Sequence, residues 1–136
     1  RVDEFKEAVD SYGDKCIADI TIYDHGWVRK MNIDGAECGM EIGKDGKVEF
    51  DDVNRGLVAN LLRPKMADGS SIYLSGCLTA YSGFFSDDDE KNIAEALSKE
   101  LPGVKVSGNR GFAIGNKIGP TWNFGIRRTY VNGQEK

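Results

Sequence analysis

Two residues in this sequence have the chemistry to break an amide bond together: His25, the only histidine, and Cys77, one of three cysteines. Each closes an apolar run and each touches a glycine, in ADITIYDHGWV (18–28) and SSIYLSGCLTA (70–80). A thiol near neutral pH is only a few per cent thiolate and needs a base or a positive neighbour to become an efficient nucleophile. A histidine within hydrogen-bond reach takes the thiol proton and later returns it to the leaving amine. The developing oxyanion needs donors, and backbone N–H groups beside a glycine supply them without a side chain in the way. Gly26 and the amide of Cys77 itself are the candidates. Asp24, Trp27, Ser75 and Gly76 flank the pair and are candidates for substrate contact.

This chemistry needs two strand ends at one rim of a sheet, and the sequence offers the elements. Residues 2–12 carry Val2, Phe5, Ala8, Val9 and Tyr12 at helical spacing, with Gly13 as a stop. Ile17–Tyr23 is rich in β-branched residues and predicts a central strand covered on both faces. VRKMNIDG and GMEIGKDGKVEF predict hairpin strands, the second turning at Lys44-Asp45-Gly46. A helix carrying Val53, Leu57, Val58, Leu61 and Leu62 on one face is expected after a cap at Asp51 or Asp52 and before Pro64. Ile72–Leu74 predicts a second buried strand. A helix follows from Ser86 or an early Asp to Pro102-Gly103, with the acidic run Asp87–Glu90 complementing the positive end of its dipole. Val104–Val106 is the third strand, and the glycine-rich, aromatic tail over 111–133 predicts one or two exposed β-hairpins.

That order implies an α/β fold: a three-layer sandwich with a mostly parallel central sheet, helices on both faces and added β-hairpins. Ligand sites in such sheets lie beyond the carboxyl ends of the strands, where His25-Gly26 and Gly76-Cys77 both fall. Length and composition suit one domain over residues 1–136. The sequence begins at Arg1 rather than Met and reads as a piece excised from a longer chain.

A hydrophobic block ending in His-Gly, followed by one ending in Gly-Cys, resembles the signature of the caspase-like cysteine peptidases. That superfamily includes caspases, gingipains, clostripain, separase and the autoprocessing cysteine protease domains of large bacterial toxins. The base precedes the nucleophile by 52 residues, close to the caspase spacing of roughly 50. GCLTA, followed by a helix and VKVSG, is most similar to the toxin-type members, and the similarity runs over about residues 15–110. The resemblance implies a caspase-like fold, a His25–Cys77 dyad, an oxyanion hole from the Gly26 and Cys77 amides, and a thioester acyl-enzyme. It implies a peptide or protein substrate, whose cleft includes Ser107, Asn109 and Arg110, and the setting of a secreted bacterial effector or toxin-processing domain. Toxin-type relatives are switched on by an inositol phosphate held in a basic pocket. Arg110, Lys117, Arg127 and Arg128 are too few to imply that activator here. Asp24 departs from the small residue common before the histidine; it either raises the imidazole pKa or points away.

Other readings stay open. Cys77 also fits an inert core thiol and His25 a structural histidine, which would leave a non-catalytic protein-interaction module. In that case Trp122, Phe124 and Tyr130, with Arg127 and Arg128, would form the binding surface. The same dyad also serves acyl transfer or deamidation. Cys16 and Cys38 read as structural, with Cys38 the fallback nucleophile. Three cysteines and one histidine make a poor zinc site, so no metal and no cofactor is expected. With a net charge of −4 and a pI of about 5.0, neither nucleic acid nor an anionic membrane is an expected partner.

Overall fold

The computed structural model describes residues 2–34, 38–52, 55–76, 79–81, 92–110, 112–116, 119–124 and 127–136. For Asp34, Cys38, 112–116 and 119–124 it describes the backbone only. The elements run in the order α1 (Val2–Asp10), β1 (Ile17–Tyr23), β2 (Gly26–Trp27), β3 (Lys30–Asp34), β4 (Cys38–Ile42), β5 (Val48–Phe50), α2 (Val58–Leu62) and β6 (Met66–Ser75). Then come α3 (Ile93–Glu100), β7 (Lys105–Asn109), β8 (Phe112–Asn116), β9 (Gly119–Phe124), β10 (Arg127–Val131) and β11 (Gln134–Glu135).

The main sheet has the order β1-β6-β7-β10-β11. Its first three strands are parallel, and β10 and β11 are antiparallel. Strands β2 to β5 form a second, wholly antiparallel sheet, and β8 pairs with β9. This corrects the expected mostly parallel sandwich with helices on both faces: strands predominate and the main sheet is mixed. The reason is visible in the register. Asp19, Ser71 and Lys105 stand in one row across the sheet. Thr21, Tyr73, Ser107 and Thr129 form the next row of the same face. That face is polar. The opposite face carries Ile22, Ile72, Leu74, Val106 and Tyr130, all buried, and packs against α3. Alternation of period two leaves one face fit for water, as antiparallel and mixed sheets allow.

Helix α3 lies between the two sheets, against β7 and β10 on one side and β4 and β5 on the other. It is accordingly buried at Ile93, Ala94, Ala96, Leu97 and Ser98 rather than along a single stripe. Its cap is Asn92, whose side chain accepts from the Glu95 N–H at 2.9 Å. The expected cap near Ser86 and the run Asp87–Glu90 lie outside the described residues.

Three further expectations are corrected. Among the described strands β1 lies at the edge of its sheet, not in a central place. Helix α2 is five residues long with Leu57 at its N-cap, and the capping aspartates act elsewhere. Asp51 accepts from the Gly39 N–H at 2.5 Å and pairs with Lys30 at 3.1 Å, while Asp52 pairs with Lys6 at 2.9 Å. Finally, the tail forms the hairpins β8–β9 and β10–β11, but the second does not stay outside the main sheet. Its β10 returns beside β7, Arg127 opposite Asn109, and Tyr130 is a core residue bonded through its hydroxyl to Asn92 at 3.0 Å. The β10–β11 hairpin turns on Asn132-Gly133, both with positive φ, the pair that a tight primed turn demands. The Asp45-Gly46 turn joins β4 and β5 as expected.

Glu100, at the end of α3, ties β5 to the helix by accepting from the Val48 N–H at 2.9 Å. Burial raises its pKa above the ordinary 4.5, against the opposing pull of that hydrogen bond and of Lys47 and Arg63. A raised carboxylate pKa means the folded state holds its proton longer than the unfolded chain does. This contribution is therefore complete below 4.5 and is lost as pH rises through the folded value. Glu100→Gln keeps an oxygen acceptor for Val48, so thermal melts at a series of pH values are expected to lose that downward slope while retaining the fold.

Candidate active site at the ends of β1 and β6

Strands β1 and β6 are parallel and in register from Asp19 opposite Ser71 to Tyr23 opposite Ser75. Their carboxyl ends thus reach the same rim. His25 stands two residues beyond Tyr23, and Cys77 is two residues beyond Ser75 in sequence. Cys77 itself, with Leu78, lies outside the described residues, as does the Cys38 side chain.

The glycines beside the two residues explain themselves. Gly26 and Gly76 lie back to back. A Cβ on Gly76 would stand 2.8 Å from both Cα and N of Gly26 and 2.7 Å from Met31 Sδ. A Cβ on Gly26 would meet Thr79 Cγ2 at 2.7 Å and Gly76 Cα at 3.1 Å. Main chain blocks a side chain at Gly76, and at Gly26 one fits only by displacing the Thr79 methyl.

His25 is exposed, and its main chain is held on both sides. Its N–H donates to Asp24 Oδ1 at 2.7 Å, and its carbonyl accepts from the Asn32 N–H at 2.9 Å. Part of the Asp24 carboxylate is thus turned to the backbone. A cavity of about 220 Å³ opens beside the imidazole, lined by His25, Gly26, Trp27, Lys30 and Asn32. Trp27 is 59% exposed and Tyr23 68%, so two aromatic side chains stand free on this rim. The Val28 carbonyl receives the Ile93 N–H at 2.7 Å, which pins the β2–β3 turn to the start of α3.

The β6 side is held by buried polar groups. Asn109, only 1% exposed, donates from Nδ2 to the Gly76 carbonyl at 3.0 Å and accepts from the Tyr73 hydroxyl at 2.8 Å. Thr79 Oγ1 donates to the Leu74 carbonyl at 2.8 Å and accepts from the Asn109 N–H at 3.1 Å. Its single proton is spent on Leu74, so the 3.4 Å approach to the Gly76 carbonyl is the weaker one and Asn109 carries that group. The main chains close the loop: the Ala80 N–H reaches the Asn109 carbonyl at 3.0 Å, and the Ala94 N–H reaches the Thr79 carbonyl at 3.2 Å. Tyr73 in turn lies under the Arg127 guanidinium, 3.6 Å from its ring centre.

Of the expected substrate contacts, Asp24, Trp27 and Gly76 gather at this rim. Asn109 faces inward and braces the loop. Ser75 is buried, its Oγ without a hydrogen-bond partner among the described residues. Ser107 is buried against Thr129, hydroxyl to hydroxyl at 2.8 Å, and Arg110 is half-buried just past β7. Cys16, expected to be structural, is exposed with Sγ 3.3 Å from the Asp14 carbonyl. Thr79, Met31 and Lys30 were not legible as site residues. Only Thr79, two positions beyond the Gly-Cys pair, carried a positional hint. Among the described residues no three His, Cys, Asp or Glu side chains gather as a metal site.

No protein-family model, curated protein or solved structure matches this chain.

Proposed function

We propose that the protein is a cysteine peptidase in which Cys77 is the nucleophile and His25 the base. The observation that carries this reading is the back-to-back contact of Gly26 and Gly76 at the ends of two parallel, in-register strands. His25 precedes one of these glycines in the sequence and Cys77 follows the other, which is the support for pairing them. In the proposed reaction the Cys77 proton passes to His25 while Sγ bonds to the substrate carbonyl carbon. The C–N bond then breaks as the imidazolium protonates the departing amine, leaving a thioester that water hydrolyses. Trp27 and the cavity beside His25 are the groups available to hold a substrate side chain. The reading rests on this pair and on the β1–β6 strand ends, not on a mostly parallel sheet with helices on both faces.

Alkylation by iodoacetamide, followed residue by residue from pH 5.5 to 8.5, tests it. Cys16 is exposed and serves as the accessible reference thiol. Activation predicts Cys77 labelling at least about tenfold faster than Cys16 or Cys38, with the advantage kept below pH 7 and lost in His25→Ala. Equal, slow labelling of all three thiols would overturn the dyad. A peptide library incubated with the protein and with Cys77→Ala then separates cleavage from acyl transfer.

A further inference from the structure

The outermost strand of the main sheet, β1, pairs with β6 on one side and with no described strand on the other. Along its length runs a groove of about 570 Å³ between the strand and α1. Phe5, Ala8, Val9 and Tyr12 form the helix wall, at the i, i+3, i+4, i+7 spacing of one helical face, and residues 16–21 form the strand wall. Natural edges are usually blunted by lysine, proline or an inward-pointing charge. Between Ile17 and Tyr23 the strand carries no lysine and no proline, and its one charge, Asp19, is exposed. A row of backbone donors and acceptors unpaired among the described residues, beside an apolar trough, is the arrangement that accepts an added strand, with backbone bonds giving affinity and the trough taking alternate side chains.

Charge identifies the occupant. Residues 1–24 contain seven acidic side chains (Asp3, Glu4, Glu7, Asp10, Asp14, Asp19, Asp24) and three basic ones (Arg1, Lys6, Lys15), a net of −4. That equals the formal charge of the whole chain. Lys6 is turned to Asp52 and Lys65, from outside the segment, stands 3.8 Å from Asp14, so the two exchanges cancel and the local excess of acid remains. A second copy of this chain would bring the same acidic segment against itself, whereas a basic strand is complementary.

We propose that the outer edge of β1, with the α1–β1 groove, docks an extended segment of a partner protein in which aliphatic residues alternate with lysine or arginine. The aliphatic side chains enter the groove, and the basic ones face Asp19 and its acidic neighbours. The site is independent of Cys77, so it stands or falls apart from the peptidase reading.

Hydrogen exchange on the intact protein tests the docking, with acetyl-Lys-Val-Lys-Val-Lys-Val-amide as probe. The expected result is exchange of amides in 17–23 slowed by about tenfold at saturating peptide, with β10 and β11 unchanged. Tyr12→Asp in the groove and Asp19→Lys on the edge are each expected to weaken binding at least about fivefold. A blocked peptide of identical composition, three lysines followed by three valines, is expected to give no such protection. Equal protection by that control would overturn the proposal, as would protection at another strand. Slowing of 17–23 that tracks protein concentration without peptide would assign the edge to a second copy and overturn it too.

Discussion

Replacing Gly76 with alanine is expected to cost about 3 kcal/mol of stability, roughly 10 °C in melting temperature, and to abolish any special reactivity of Cys77. The added Cβ has two neighbours of different kinds. Met31 Sδ, 2.7 Å away, ends a flexible side chain and can move; Gly26 Cα and N, both at 2.8 Å, are main chain and cannot move without parting the strand ends. Met31→Ala should therefore rescue only a minor part of the Gly76→Ala loss. Gly26→Ala is a useful contrast. Its closest contact is a threonine methyl at 2.7 Å, with Gly76 Cα at 3.1 Å, so a smaller cost of about 1–2 kcal/mol is expected. Denaturant melts of the three variants check this ordering. A Gly76→Ala protein as stable as the parent would mean that the two turns do not touch.

The second large effect falls on Asn109. Asn109→Ala removes the donor to the Gly76 carbonyl and the acceptor for the Tyr73 hydroxyl, at an expected cost of about 2–3 kcal/mol at any pH. Asn109→Asp is the sharper experiment. An ionised carboxylate still accepts from Tyr73 but sets a negative oxygen against the Gly76 carbonyl at a site 1% exposed. The expected loss is about 3–5 kcal/mol at pH 8. Protonation restores a donor, so the folded-state pKa of the new carboxyl is raised. The sign follows: stability is best below the ordinary aspartate value and falls as pH rises through the raised one. Recovery of Asn109→Asp on acidification, with no recovery in Asn109→Ala, is the expected pattern in thermal melts. A flat response of Asn109→Asp would show that the side chain does not hold the Gly76 carbonyl.

The local elements were largely written in short-range signals. Helical spacing in 2–12, the Asp45-Gly46 turn and the Asn132-Gly133 turn each act over a few residues, and each element is present. The polar face of the main sheet was also legible: Asp19, Thr21 and Tyr23 alternate with Ile20 and Ile22, as Ser71, Tyr73 and Ser75 alternate with Ile72 and Leu74. Element order suits helices on both faces, and hydrophobic content suits a central place for β1, whereas the period of these runs fits a sheet with one polar face. Helix α2 starts later than expected for another reason. Asp51 and Asp52 have the side chains of good caps, but their carboxylates are taken by Gly39, Lys30 and Lys6, partners distant in sequence.

By itself, the sequence determined that two strand-forming runs are followed by His-Gly and by Gly-Cys, because β-branched runs and glycine stops are local chemistry. Only the tertiary structure decided that those glycines exist to let two main chains touch, that Asn109 and Thr79 brace one of them, and that β10 turns back into the sheet beside β7. The physical reason is distance along the chain. Contacts between residues 26 and 76, or between 76 and 109, depend on which strand lies beside which, and no window of a few residues encodes that.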